Sequence, residues 1–170
     1  MLVAAELTRV LFGGDPAPAD AVRIGQLRRD LDRFIEGGRV TIRDGLYRSD
    51  PAYMARLDPP GGEIWEIRSV DPRPGLRVFG RFAEEDIFVA LLLRTRKQLG
   101  GKNDPAWQEV VRHCKAEWRQ LFPGHEPHSG KRVCDYVSSA GILLRPVRSP
   151  KRDIAGGPCL FPCVDEGEIS

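Results

Sequence analysis

Six basic side chains between residues 68 and 97 stand out as groups able to act on an anion: Arg68, Arg77, Arg81, Arg94, Arg96 and Lys97. Alternate residues of an extended strand share a face, so Arg77, Phe79 and Arg81 emerge together, and Arg94 and Arg96 emerge together further on. Arginine neutralises phosphate and an aromatic face stacks on bases, so this combination suits single-stranded RNA. The same pattern also describes a solvated sheet face whose arginines pair with Glu66, Glu84 and Glu85, and charge pattern alone favours that plainer reading.

A second group is His113, Cys114, His125, His128 and Cys134, with Cys159 and Cys163 further on. His125 and His128 have a spacing that can put two imidazoles on one ion, and Cys159 and Cys163 can form a thiolate pair. No CxxC knuckle accompanies them, and Cys114 falls in the apolar stripe of a helix. No metal site is assigned on this basis, and a zinc-stabilised binding protein is kept as the weaker alternative. The glycine pairs form neither a Walker nor a GxGxxG pattern, so they read as turns and no cofactor is expected.

The elements that must position the arginines lie between Glu63 and Leu121. EIWEIRSV, GLRVFGRF and DIFVALLLRTRK read as three consecutive strands. The first puts Trp65 and Ile67 on one face and Ile64, Glu66 and Arg68 on the other. In the second, Leu76, Val78, Gly80 and Phe82 oppose Arg77, Phe79 and Arg81. The third alternates Ile87, Val89, Leu91 and Leu93 against Phe88, Ala90 and Leu92, and a strand apolar on both faces belongs inside a sheet. Short connections predict an antiparallel meander, flanked by further strands from the chain's outer thirds. Asp104 as N-cap and Pro105 at the first helical position open a helix whose stripe is Trp107, Val110, Val111, Cys114, Trp118 and Leu121.

Upstream, residues 1–12 fit a short helix, though TRVLF fits a strand equally well. Residues 21–36 predict a second main helix, capped by Asp20, packed through Val22, Ile24, Leu27, Leu31, Phe34 and Ile35, and ended by Gly37 and Gly38. RVTIRDGLYR reads as a short strand or hairpin, and the stretch from Pro51 as a one- or two-turn helix stopped by Pro59 and Pro60. The expected fold is therefore α+β: an antiparallel meander of three or more strands packed against two main helices, about 21–36 and 105–121. Residues 1–150 form one domain, and residues 151–170 are a flexible or loosely docked tail.

The chain of 170 residues carries 26 basic and 24 acidic side chains, a balance too even for a general nucleic-acid binder. Residues 63–121 hold eleven of the basic and nine of the acidic groups, so the whole excess falls on the strand-helix block. MLVAAELTRVLF has no basic region before its apolar run, and no apolar run reaches bilayer-spanning length. A cytoplasmic protein with reduced thiols and no membrane partner is the expectation.

EIWEIRS and GLRVFGRF, followed by an apolar strand that runs into basic residues and then a helix, resemble the RelE/HigB-like toxins of bacterial toxin-antitoxin systems. The resemblance covers about residues 53–121. It implies a RelE-like sheet and a small endoribonuclease that cleaves mRNA, in many members on the ribosome, and that a small antitoxin protein neutralises. It further implies catalytic roles for Arg77, Arg96 and Lys97, and RNA contacts from Arg68, Phe79, Arg81 and Arg94. Many members carry a Tyr or His near the basic cluster, whereas here Trp107 is the first aromatic after Arg96 and Lys97 and its spacing assigns it to the core. His113, His125, His128 or Tyr136 reaches the cluster only if the fold brings it back. A non-catalytic RelE-like domain that binds a protein or RNA partner is the alternative.

Overall fold

A computed structural model describes residues 1–14, 17–43, 52–57, 62–101, 104–138 and the backbone of 142–144. Its seven strands are β1 (Leu2–Val3), β2 (Val40–Arg43), β3 (Met54–Arg56), β4 (Trp65–Ser69), β5 (Leu76–Glu84), β6 (Ile87–Thr95) and β7 (Ile142–Leu144). They form one mixed sheet in the order β1-β6-β5-β4-β3-β2-β7. The expected meander is its centre, since β3 through β6 pair antiparallel in sequence order. The flanks are parallel: β1 runs along β6, and β2 joins β3 on one side and β7 on the other. The sheet is thus mixed, not a purely antiparallel meander.

Three helices cover it: α1 (Ala5–Phe12), α2 (Pro18–Ile35) and α3 (Pro105–Leu121). Leu7 and Leu11 of α1 and Ile24, Leu27 and Leu31 of α2 pack on Trp65, Ile67, Val78, Phe82 and Phe88, which face one side of the sheet. On the opposite side, Val110, Cys114 and Trp118 of α3 pack on Ile64, Phe79, Val89, Leu91 and Leu92. Two cores separated by one sheet explain why β5 and β6 carry apolar residues at both parities.

α3 matches its sequence signals closely. Asp104 accepts a hydrogen bond from the Ala106 amide at 2.9 Å, and Pro105 stands at the first helical position. α2 differs from expectation at its start, because it opens at Pro18 after an Ala17 that makes no side-chain cap. Val22 and Ile35 are 61% and 54% exposed, outside the packed face that their spacing suggested. Asp30 instead anchors α2 to the sheet: its carboxylate accepts from Ser69 Oγ at 2.6 Å, and its carbonyl accepts from Tyr53 Oη at 2.7 Å.

The helix expected from Pro51 is replaced by β3, whose Met54 and Ala55 are buried between β2 and β4. Pairing on both edges outweighs local helix signals. Pro51 itself, the Asp44-Gly45 turn, Pro59-Pro60 and the 151–170 tail lie outside the described residues. Among the described residues no helix is long and apolar enough to cross a membrane.

Candidate functional site

A bulge in β6 sets the site. Phe79 pairs with Leu92, but the next residue, Gly80, pairs with Ala90, so Leu91 is the extra residue on β6. A side chain at position 80 would put its Cβ 2.0 Å from the Val89 carbonyl oxygen, so the crossing demands glycine. The extra residue reverses the parity of everything after it. Leu93 turns to the α1–α2 side beside Phe88 and Ala90, whereas Leu92 and Arg94 turn to the α3 side. The unbroken alternation expected for this strand therefore gives way at Leu91.

Arg94 now stands directly across from Arg77, and Arg77 directly across from Arg68. Three guanidinium-bearing residues line up side by side on adjacent strands, an arrangement that costs free energy unless an anion accompanies it. Glu66, two residues before Arg68 on the same face and 2% exposed, supplies one. Arg68 Nε donates to Glu66 Oε1 at 2.7 Å and Arg68 Nη2 donates to the same oxygen. Arg77 Nε lies 3.5 Å from Glu66 Oε2. Arg77 Nη1 also donates to the Leu76 carbonyl. One carboxylate thus serves two arginines, and the third turns elsewhere.

That third, Arg94, donates from Nη1 to the Leu93 carbonyl at 2.7 Å, and its Nη2 lies 3.4 Å from His113 Nδ1. A guanidinium only donates, so this contact requires the lone pair on Nδ1 and leaves the His113 proton on Nε2, which faces Glu117 Oε1 at 3.8 Å. His113 lies nineteen positions beyond Arg94 and reaches it because α3 folds back across β5 and β6. Its side chain is 42% exposed, so the imidazole can meet a solvent-borne substrate.

At the end of β5 and β6 the row opens into a cleft of about 570 Å³ lined by Val70, Arg73, Pro74, Gly75, Arg77, Arg96 and Lys97. Four of these seven are cations and none is a carboxylate. Arg96 and Lys97 are not on a strand, as the sequence suggests, but in a 3₁₀ turn, Arg96–Leu99. Thr95 caps that turn by accepting from the Gln98 amide. Arg73 joins the cleft from the turn between β4 and β5; the Pro-flanked DPRPG pattern that predicts this turn was the only available sign of it.

Two residues expected at an RNA surface lie beneath α3. Phe79 is fully buried, with its ring 6.0 Å from that of Trp107. Arg81 is 7% exposed, donates to the Gly62 carbonyl at 3.0 Å and lies over the Trp118 ring. Burial pushes the Arg81 pKa below its ordinary value. Cys114, beside it, is buried too, and its thiol is pushed up to about 12, which keeps it protonated and unreactive at neutral pH.

Of the other groups that might have reached the cluster, Tyr136 packs on the opposite core against Trp65 and Phe82. His128 lies against the Tyr136 ring, and its Nε2 is 2.5 Å from the Asp135 carbonyl. His125 is exposed past the end of α3. Among the described residues, these side chains and Cys134 form no cluster of three possible metal ligands, and Cys159 and Cys163 lie outside the described residues. No family model, curated protein or solved structure matches this chain.

Proposed function

We propose that this protein is a toxin-type endoribonuclease with a RelE/HigB-like core, acting on mRNA in the cytoplasm, in the ribosome or free, and held inactive by a small antitoxin. The observation that carries the reading is the register that lines up Arg68, Arg77 and Arg94, with the Glu66 carboxylate shared between Arg68 and Arg77, next to a cleft lined by Arg73, Arg96 and Lys97. Such excess positive charge, fixed on rigid strands, suits a phosphodiester whose charge grows as the reaction proceeds.

In this reading the RNA 2′-hydroxyl attacks its own phosphorus, the 5′-oxygen leaves, and a 2′,3′-cyclic phosphate forms. Arg77, Arg96 and Lys97 stabilise the charge that develops on the phosphoryl oxygens, while Arg68 and Arg94 hold the strand in register. Arginine is too weak an acid to exchange protons near neutrality. His113 takes that part once the substrate phosphate draws Arg94 away from Nδ1: the freed lone pair receives the proton of the attacking hydroxyl, and the imidazolium returns one to the leaving oxygen. The imidazole arrives from a helix, not from the strand end that follows the basic cluster.

The test is cleavage of a single-stranded RNA by the purified protein, with the new ends identified as 2′,3′-cyclic phosphate and 5′-hydroxyl, alongside growth on expression. Arg77→Ala should lower cleavage by about 10²- to 10³-fold and relieve growth arrest while circular dichroism stays unchanged. No cleavage, no arrest and unaltered cellular mRNA ends would sink the reading.

One observation favours a second reading, a non-catalytic domain that binds RNA or a protein partner. Glu66 already sits between Arg68 and Arg77, where a scissile phosphate would compete with it. Tight, salt-dependent RNA binding without cleavage would select this reading over the first.

A further inference from the structure

We infer that Arg96, backed by the indole of Trp107, forms a stacking subsite for an unpaired nucleobase at the rim of the cationic cleft; this rests on the reading of that cleft as an RNA site. The Arg96 guanidinium lies 5.8 Å from the centroid of the Trp107 ring. Both are anchored to one short turn: Arg96 Nη1 donates to the Gly100 carbonyl at 2.5 Å, and Trp107 Nε1 donates to the Gly101 carbonyl at 2.9 Å. Gly100 has φ +57°, the left-handed backbone that lets these neighbouring carbonyls serve the two groups. The Phe79 ring stands at 85° to the indole and supports it from the core side.

Each partner is therefore fixed before any ligand arrives, which lowers the ordering cost of binding. Arg96 also lines the cleft beside Arg77 and Lys97. A guanidinium held against a ring on one side offers its other planar side to a base, while its neighbours take the adjoining phosphate. Phe79, the aromatic that strand alternation points to, is fully buried and cannot take this part. Trp107 is only partly buried, whereas Trp65 and Trp118 are 0% and 2% exposed, so Trp107 is the one indole of the three that a bound strand can touch.

Because of that difference, tryptophan emission reports on the subsite. The full chain is titrated with an eight-nucleotide 2′-O-methyl oligonucleotide, which cannot be cleaved through its own 2′-hydroxyl, and with an eight-unit abasic phosphodiester strand of equal charge. The base-bearing strand should bind roughly tenfold more tightly and quench the emission, while the abasic strand leaves the emission unchanged. Arg96→Lys keeps the charge but not the plane, and should bring the base-bearing strand to the affinity of the abasic one.

Equal affinity for the two strands in the native protein, with unchanged emission, would overturn the subsite and leave the phosphate reading standing; the pair would then serve only to brace the turn. Failure of both strands to bind would remove the subsite and the RNA reading together. The two-strand comparison uses the native chain alone, so a variant that folds poorly does not blunt it.

Discussion

Glu63 and Glu66 stand three residues apart at and just before β4, both nearly buried, yet the charge around them is balanced in opposite ways. Glu63 meets one cation and two hydroxyls: Arg56 Nη2 donates to Oε1 at 2.5 Å, Ser129 Oγ donates to the same oxygen at 3.4 Å, and Tyr136 Oη donates to Oε2. Gly130 closes the cluster by donating from its amide to Tyr136 Oη. Both Glu63 oxygens, the Tyr136 hydroxyl and Arg56 Nη2 are paired, with Arg56 Nε left without a hydrogen bond among the described residues, and the result ties the segment around residues 128–136 to the sheet. Glu66 faces two arginines with a third across the strand, and the surplus opens on a cleft. A buried cluster that closes on itself holds a fold together, whereas one with surplus positive charge beside a cleft has the chemistry to bind an anion.

The largest effect should come from Glu63→Ala. It strands the Arg56 guanidinium, 11% exposed, without its carboxylate, and frees Tyr136 and Ser129 from a shared acceptor. Chemical denaturation should show a loss of about 3–5 kcal/mol. RNA affinity, measured under conditions where the variant stays folded, should remain at the native level. A matching loss of affinity would erase the distinction between the two clusters.

Glu66→Gln should behave differently, and by a smaller amount. It removes the carboxylate charge that Arg68 and Arg77 share, so the protein alone loses about 1–3 kcal/mol. The site becomes more positive, so a polyanion such as heparin or single-stranded RNA should bind more tightly and recover much of that stability, because a ligand held only by the native state stabilises it. Denaturation midpoints with and without heparin make the comparison. Glu63→Ala should show no such recovery.

The difference between the clusters was only partly legible in the sequence. Alternation grouped Glu66 with Arg68 on β4 and Arg77 with Phe79 on β5, as the structure has them, because β4 and the first half of β5 keep a strict two-residue period; that both groups share one face of the sheet follows from the register, which alternation within a strand does not supply. It failed at Leu91, since a bulge inserts one residue and no local pattern marks it; Gly80, the glycine that the crossing requires, was the available sign. α3 was readable from its cap and stripe, yet its docking direction, which brings His113 to Arg94, depends on long-range packing that a periodicity does not encode. β3 was misread as a helix start because Pro51 is a local cue, while the pairing with β2 and β4, the strands just before and after it, is set by sheet assembly and not by the segment's own residues. The Glu63 cluster escaped because two of its three partners lie 66 and 73 residues away.

Alkaline pH should loosen the closed cluster. Burial, followed by the hydrogen bond to Glu63, pushes the Tyr136 phenol up to about 12 from an ordinary value near 10. A group whose pKa is raised on folding contributes stability that is fully present below its unfolded value and is lost as pH rises through the folded one. Stability should therefore fall between about pH 10 and 12. The buried Cys114 thiol, also pushed up to about 12, adds to the same decline from a lower starting pH. Tyr136→Phe isolates the phenol: it should lower stability at neutral pH and flatten the decline above pH 10. An undiminished decline in that variant would assign the whole effect elsewhere.

The smallest effect separates the clusters by their counter-ions. Lys97 is exposed, lines the cleft and stands among cations, whereas Lys131 is equally exposed but adjoins the closed cluster, where its amide donates to Asp135 Oδ2. Each lysine that meets a phosphate of a single strand adds about 0.7 to the slope of log affinity against log salt, because it releases condensed counterions. Lys97→Ala should therefore flatten that slope by about 0.7 and weaken binding mildly, while Lys131→Ala should leave it unchanged. The formal charge lost is the same in both variants, so only position can produce a difference. Equal changes would mean that RNA responds to the protein's overall charge, and the surplus around Glu66 would then have no special standing.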